Sequence, residues 1–80
     1  MKVKVFVSLK PSILDPQGQT IADALHTLGY AAVQKVRQGK YFELDVKANS
    51  AKQARELGLE VAEKLLANTV IESYRVELES

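Results

Sequence analysis

Eighty residues, 46% of them hydrophobic, make one small domain (1–80) near the lower limit of what a single core can hold. The lack of cysteine excludes disulfides, thiol nucleophiles and thiolate metal sites, and a net charge of +1 from interleaved signs excludes a basic field for nucleic acid. The apolar N-terminus is broken by Lys2 and Lys4 and lacks a small-residue cleavage site, and no run reaches membrane-spanning length. A soluble intracellular protein is therefore expected.

In chain order, Lys2 to Lys10 alternate: Val3, Val5, Val7 and Leu9 point one way, and the lysines, Phe6 and Ser8 the other, as in a half-buried strand. Pro11 to Leu14 read as a loop. Asp15-Pro16 then opens a helix, with Asp15 as cap and Pro16 at the first helical position, where its missing N–H costs nothing. The helix runs to about Leu28, with Ile21, Ala24, Leu25 and Leu28 on its inward face and Gly29 as its stop. Val33 to Arg37 and Tyr41 to Lys47 read as two strands of a hairpin around Gln38-Gly39-Lys40, although Val33 and Val36 are out of phase. Ser50 starts a second helix with a capping box, carrying Ala54, Leu57, Val61, Ala62 and Leu65 inward. Asn68 should end it in a left-handed conformation, and Val70 to Leu78 form the last strand.

The order is βαββαβ, which predicts the α+β class: a two-layer ferredoxin-like sandwich whose antiparallel sheet carries both helices on one face. The other face is left bare. Phe6, Tyr41 or Phe42, and Ile71 are placed on it or at its edges, and a second copy of the chain is the simplest cover for them.

No catalytic constellation is present. The one histidine, His26, falls on the polar flank of the first helix, the carboxylates occupy caps and surfaces, and Gly18, Gly29, Gly39 and Gly58 form no phosphate loop. Two places invite a contact. Gly18 stands in the first turn of a helix, where it lowers helix propensity, so some neighbour is expected to approach the backbone closely. Asp15, Gln17 and Gly18 are accordingly candidates for a docking surface, with Gly18→Ala expected to preserve stability. The turn bearing Arg37, Gly39 and Lys40 is the second candidate, and Lys10 is a further candidate for contact with a partner.

Leu9-Lys10-Pro11, Leu14-Asp15-Pro16-Gln17-Gly18, Ala24-Leu25 with Leu28-Gly29-Tyr30, Val36-Arg37 with Gly39-Lys40, and Leu65-Leu66-Ala67-Asn68 with Val70-Ile71-Glu72 recur in a known order. Over Lys2 to Glu77 the chain resembles the PurS-type small subunits of phosphoribosylformylglycinamidine synthase. Leu-Asp-Pro-Gln-Gly is the most specific block, and Thr69 departs from the family's usual proline. The resemblance implies a cytoplasmic subunit of de novo purine biosynthesis with no active site of its own. It would form a homodimer or a dimer of dimers and hold a glutaminase subunit against a large synthetase subunit. ATP and magnesium would be used by the synthetase and bound nowhere on this chain.

Two other readings share the topology. An RNA-recognition module needs outward aromatics and a basic groove, which Phe6 and Tyr41 imitate, but Glu43 would sit beside any stacked base. A regulatory domain binding a small ligand between two copies is the other.

Overall fold

The computed structural model describes residues 1–79. Strand β1 (Lys2–Leu9) lies at the centre of a three-stranded antiparallel sheet, between β2 (Gly39–Asp45) and β3 (Glu72–Glu79). The register pairs Val5 with Phe42 on one side and with Val76 on the other. Alternation sorts the side chains as the sequence predicts. Val3, Val5 and Val7 are 0–1% exposed and face the helical layer, and each such valine contributes roughly 1.5–2 kcal/mol of burial.

Helix α2 (Ala51–Val61) supplies that layer. The Ser50 hydroxyl accepts from the Gln53 amide at 3.1 Å, and the Gln53 side chain reaches back to the Asn49 amide at 2.7 Å, a variant of the predicted capping box. Ala54, Gly58 and Ala62 line its buried side, and a Cβ on Gly58 would stand 2.7 Å from Val3 Cγ1 and 3.3 Å from Val76 Cγ1. The helix thus lies close over β1 and β3, and not over β2. It continues into a single π turn, Ala62–Leu66, closed by the Ala67 amide on the Ala62 carbonyl at 2.9 Å. The wider turn rotates Leu65 out of the face predicted for it, to 81% exposure, and carries Leu66 onto the core instead. Asn68 does not adopt the expected left-handed conformation, since no residue but Gly29 has a positive φ among those described. Extended Ala67 ends the helix, and Asn68 accepts from the Val70 amide through its side chain and from Ile71 and Glu72 through its carbonyl.

Helix α1 (Pro16–Thr27) departs from the expected packing. It begins and ends as predicted, at capping Asp15 and at Gly29 with φ +98°. No residue of α1 belongs to the core cluster, however, and the side turned toward the protein is Gly18 and Ala22. Ile21 is 41% and Leu28 71% exposed.

The partner of α1 is the segment 33–38, which contains the predicted strand Val33 to Arg37 and here lies outside the ladder. It runs back along the helix, from Val33, whose carbonyl accepts from His26 Nε2 at 2.7 Å, to Gln38 beside Asp15. Five residue steps cover the axial distance from His26 to the helix mouth, about 16 Å by helical rise, which requires a fully extended chain. Residues 33–38 are therefore strand-like and continue β2 beyond the end of β1. Helix and overhanging strand form an arm, which explains an extent of 50 × 27 × 14 Å and a radius of gyration of 15.8 Å against about 12 Å for a compact chain of this length. The element order remains that of the ferredoxin-like class, with its second strand unpaired and its first helix off the sheet.

Candidate functional site

The arm joins the sheet at a polar corner that gathers the residues singled out at the helix mouth and the following turn. Asp15, 6% exposed, stands at its centre. One carboxylate oxygen accepts from the Gly18 amide at 2.9 Å, capping α1, and the other accepts from the Gln38 amide at 2.7 Å, fixing the entry to β2. The Gln38 and Gly18 bonds, opposed by burial and aided by the nearby Arg37 charge, hold the Asp15 pKa below the ordinary carboxylate value.

Gly18 finds its close neighbour within its own chain. A Cβ there would stand 2.2 Å from the Val36 carbonyl oxygen and 2.7 Å from Asp15 Oδ2. The glycine admits the overhanging strand to the helix backbone, so it is a buried joint and offers no surface to a partner. This corrects the expectation that Ala would be tolerated. Arg37 is also committed, its guanidinium donating to the Lys10 carbonyl at 3.0 Å and lying 3.5 Å from that of Leu9. A Cβ on Gly39 would fall 2.4 Å from the Val7 carbonyl, so this position too is set by close backbone approach. Lys40 reaches the Glu72 carboxylate and the Leu66 carbonyl at the end of the π turn, all at 3.4 Å. Gln17 is exposed and Lys10 half-buried, and neither side chain makes a hydrogen bond or ion pair in the described residues. A shallow hollow of about 280 Å³, lined by Asp15, Gln17, Gln38, Gly39, Lys40 and Glu72, is what the corner offers to solvent.

The open sheet face has a different character from the apolar surface expected of it. Cross-strand rows read Gly39–Ser8–Ser73, Tyr41–Phe6–Arg75, Glu43–Lys4–Glu77 and Asp45–Lys2–Glu79. Two of the four rows are a basic centre between acidic flanks, with ion pairs Lys2–Glu43 and Lys4–Glu79. Phe6 and Tyr41 do meet, with ring centroids 5.0 Å apart, but the Arg75 guanidinium covers Phe6 at 4.3 Å and itself pairs with Glu77. Burial, and then the Glu43 carboxylate to which its hydroxyl donates at 3.1 Å, push the Tyr41 pKa up. Ile71 is half-buried in the turn before β3, where its carbonyl accepts from the Lys10 amide, and is apart from this pair. Alternation places Phe6 correctly, but the acidic residues of β2 and β3 make the face polar.

The missed apolar surface lies on the arm. Ile21, Leu25 and Leu28 are spaced as one helical stripe, about 70° round α1 from the side that meets the strand. Sequence periodicity finds this stripe but assigns it to the chain's own core.

A family model described as "PurS: Phosphoribosylformylglycinamidine (FGAM) synthase" matches residues 2–80. The phosphoribosylformylglycinamidine synthase subunit PurS of Bacillus subtilis is 56% identical over 78 residues, 98% of this chain and 92% of that protein. A solved structure of Methanocaldococcus jannaschii PurS, described as a subunit of formylglycinamide ribonucleotide amidotransferase, superposes with a TM-score of 0.89 at 35% identity, over 99% of this chain and 95% of that one. A chain of the Thermotoga maritima PurLQS structure aligns with a TM-score of 0.88 at 34% identity, over 95% of this chain and 93% of its own. Full-length agreement in sequence and fold places this chain in the PurS family of phosphoribosylformylglycinamidine synthase subunits.

Proposed function

We infer that this chain works as the small, non-catalytic subunit of the ligase complex that converts formylglycinamide ribonucleotide to the amidine in purine biosynthesis, with glutamine as nitrogen donor and ATP as energy source. In this reading the chain is a homodimer or pair of dimers in the cytoplasm and bridges the glutaminase and the synthetase. ATP and magnesium act on the synthetase, and this chain binds neither. The observation that carries the reading is full-length membership of the family together with similarity to a chain of the PurLQS structure. The geometry supports it: the polar groups of the corner are spent on joining the arm to the sheet, and exposed Leu14, Leu65 and Val70 offer contact without chemistry.

Ammonia released at one centre must reach the other before it escapes or is protonated, so holding the two catalytic subunits in register raises its effective concentration. Adding this chain to synthetase plus glutaminase should strongly raise amidine formation from glutamine and have much less effect with ammonium salt as donor. Equal stimulation with both donors would mean that the chain acts on the synthetase itself. Turnover by this chain alone would overturn the assignment as a non-catalytic subunit.

A further inference from the structure

On the open face of the sheet, the row Gly39–Ser8–Ser73 carries no large side chain and leaves a trough beside the taller row Tyr41–Phe6–Arg75. The trough is a hollow of about 430 Å³, with Phe6, Ser8, Gly39, Tyr41, Ser73 and Arg75 among its lining residues. That volume falls within the span of small-molecule sites. Ser8 and Ser73 are direct cross-strand partners, so their Cβ atoms stand about 5 Å apart and both hydroxyls can meet one ligand group. Both residues are exposed, and neither hydroxyl makes a hydrogen bond among the described residues.

Cations flank this floor on both sides. The pairing of β1 with β3 extends one step past Leu9, where the Lys10 amide donates to the Ile71 carbonyl at 2.9 Å. Alternation then puts Lys10 on the same face as Ser8, two residues or about 7 Å further along the strand. Its ammonium has no partner among the described residues, and its four-carbon stem spans that distance. Across the trough, Arg75 spends its five N–H donors on one carboxylate, that of Glu77. Tyr41 is 49% exposed, with the Phe6 ring 5.0 Å away and its hydroxyl tied to Glu43, so its ring is held as a platform.

From the two free hydroxyls, the free ammonium and the fixed half-exposed ring, we propose that the trough binds a nucleoside monophosphate. Its phosphate accepts from the Ser8 and Ser73 hydroxyls, Lys10 closes on the same group, and the base stacks on Tyr41. The serine and aromatic rows lie about 7 Å apart along the strands, a separation that one ribose bridges. The charge of the face suits one nucleotide and not a strand of RNA. Past Tyr41 it continues into Glu43, Asp45, Glu77 and Glu79 around Lys2 and Lys4, and this acidic excess repels further phosphates. Every group involved belongs to one chain, so the site is independent of the bridging role.

The test is an NMR titration of the isotope-labelled chain with adenosine monophosphate, adenosine, ribose phosphate and a single-stranded oligoribonucleotide. Adenosine monophosphate should give saturable shifts at the amides of Ser8, Tyr41 and Ser73 in the low-millimolar range, and bind more tightly than adenosine or ribose phosphate. Both serines are exposed, so the double variant Ser8→Ala, Ser73→Ala should melt with the wild type. It should bind the monophosphate about tenfold more weakly and adenosine as before. Lys10→Gln should weaken the monophosphate alone in the same way and flatten its salt dependence. Absence of saturable shifts at these amides, or wild-type affinity in both variants, overturns the site. Ribose phosphate binding as tightly as the nucleotide overturns the role of Tyr41 and with it the ligand class. Tighter binding of the oligoribonucleotide than of the monophosphate overturns the choice of a single nucleotide.

Discussion

At Gly18 the absence of one methyl group decides whether the arm can form. With the Val36 carbonyl 2.2 Å from the place a Cβ would occupy, Gly18→Ala must push the overhanging strand away from α1. The helix-propensity gain, up to about 1 kcal/mol, is smaller than the overpacking and lost Asp15 contacts, which together cost about 2–3 kcal/mol. Urea unfolding should show that net loss, and a variant as stable as the wild type would contradict the close approach. Asp15 is equally specific. Asn retains one acceptor for Gly18 but turns an amide donor toward the Gln38 N–H, so Asp15→Asn should lower the melting temperature by several degrees. Because the folded state holds the Asp15 pKa below the ordinary value of 3.8, its stabilisation is full above that pH. It fades as pH falls through the lower folded value. An acid titration of Asp15→Asn should show a flatter decline in stability below pH 4 than the wild type shows.

Among the elements, β1 and the two helix starts are legible in the sequence because each rests on local rules: strict alternation in Lys2–Leu9, Asp15-Pro16 at one mouth, and Ser50 with Gln53 at the other. The end of α2 is not, because its π turn replaces the 3.6-residue period that assigns Leu65 inward. The swap between neighbours gives a ranking to measure. Leu66→Ala should cost about 1–2 kcal/mol in chemical denaturation, whereas Leu65→Ser should stay within about 0.5 kcal/mol. An uninterrupted α-helix would reverse that order. The polarity of the open sheet face is hidden in the sequence for a different reason. The intervening residues of β1 read as a lysine-bearing face broken by Phe6, and only the register shows that Glu43, Asp45, Glu77 and Glu79 flank those lysines. The docking candidates illustrate the same limit. Sequence marks Asp15, Gly18, Arg37, Gly39 and Lys40 as unusual, and the structure brings them to one corner, but their mutual bonds depend on long-range placement.

For the whole molecule, the disagreement over α1 and residues 33–38 concerns where they pack more than what they are. The first forms the predicted helix, whereas residues 33–38 run extended but pair with no strand among the described residues, outside the hairpin predicted for them. A chain of this length cannot hide Ile21, Leu28, Phe42 and Leu44 while its arm points away from its sheet. On the homodimer reading a second copy covers part of this apolar surface, so the chain should melt at a temperature that rises with protein concentration. A melting temperature independent of concentration over the micromolar range would contradict that reading and leave these side chains to another partner.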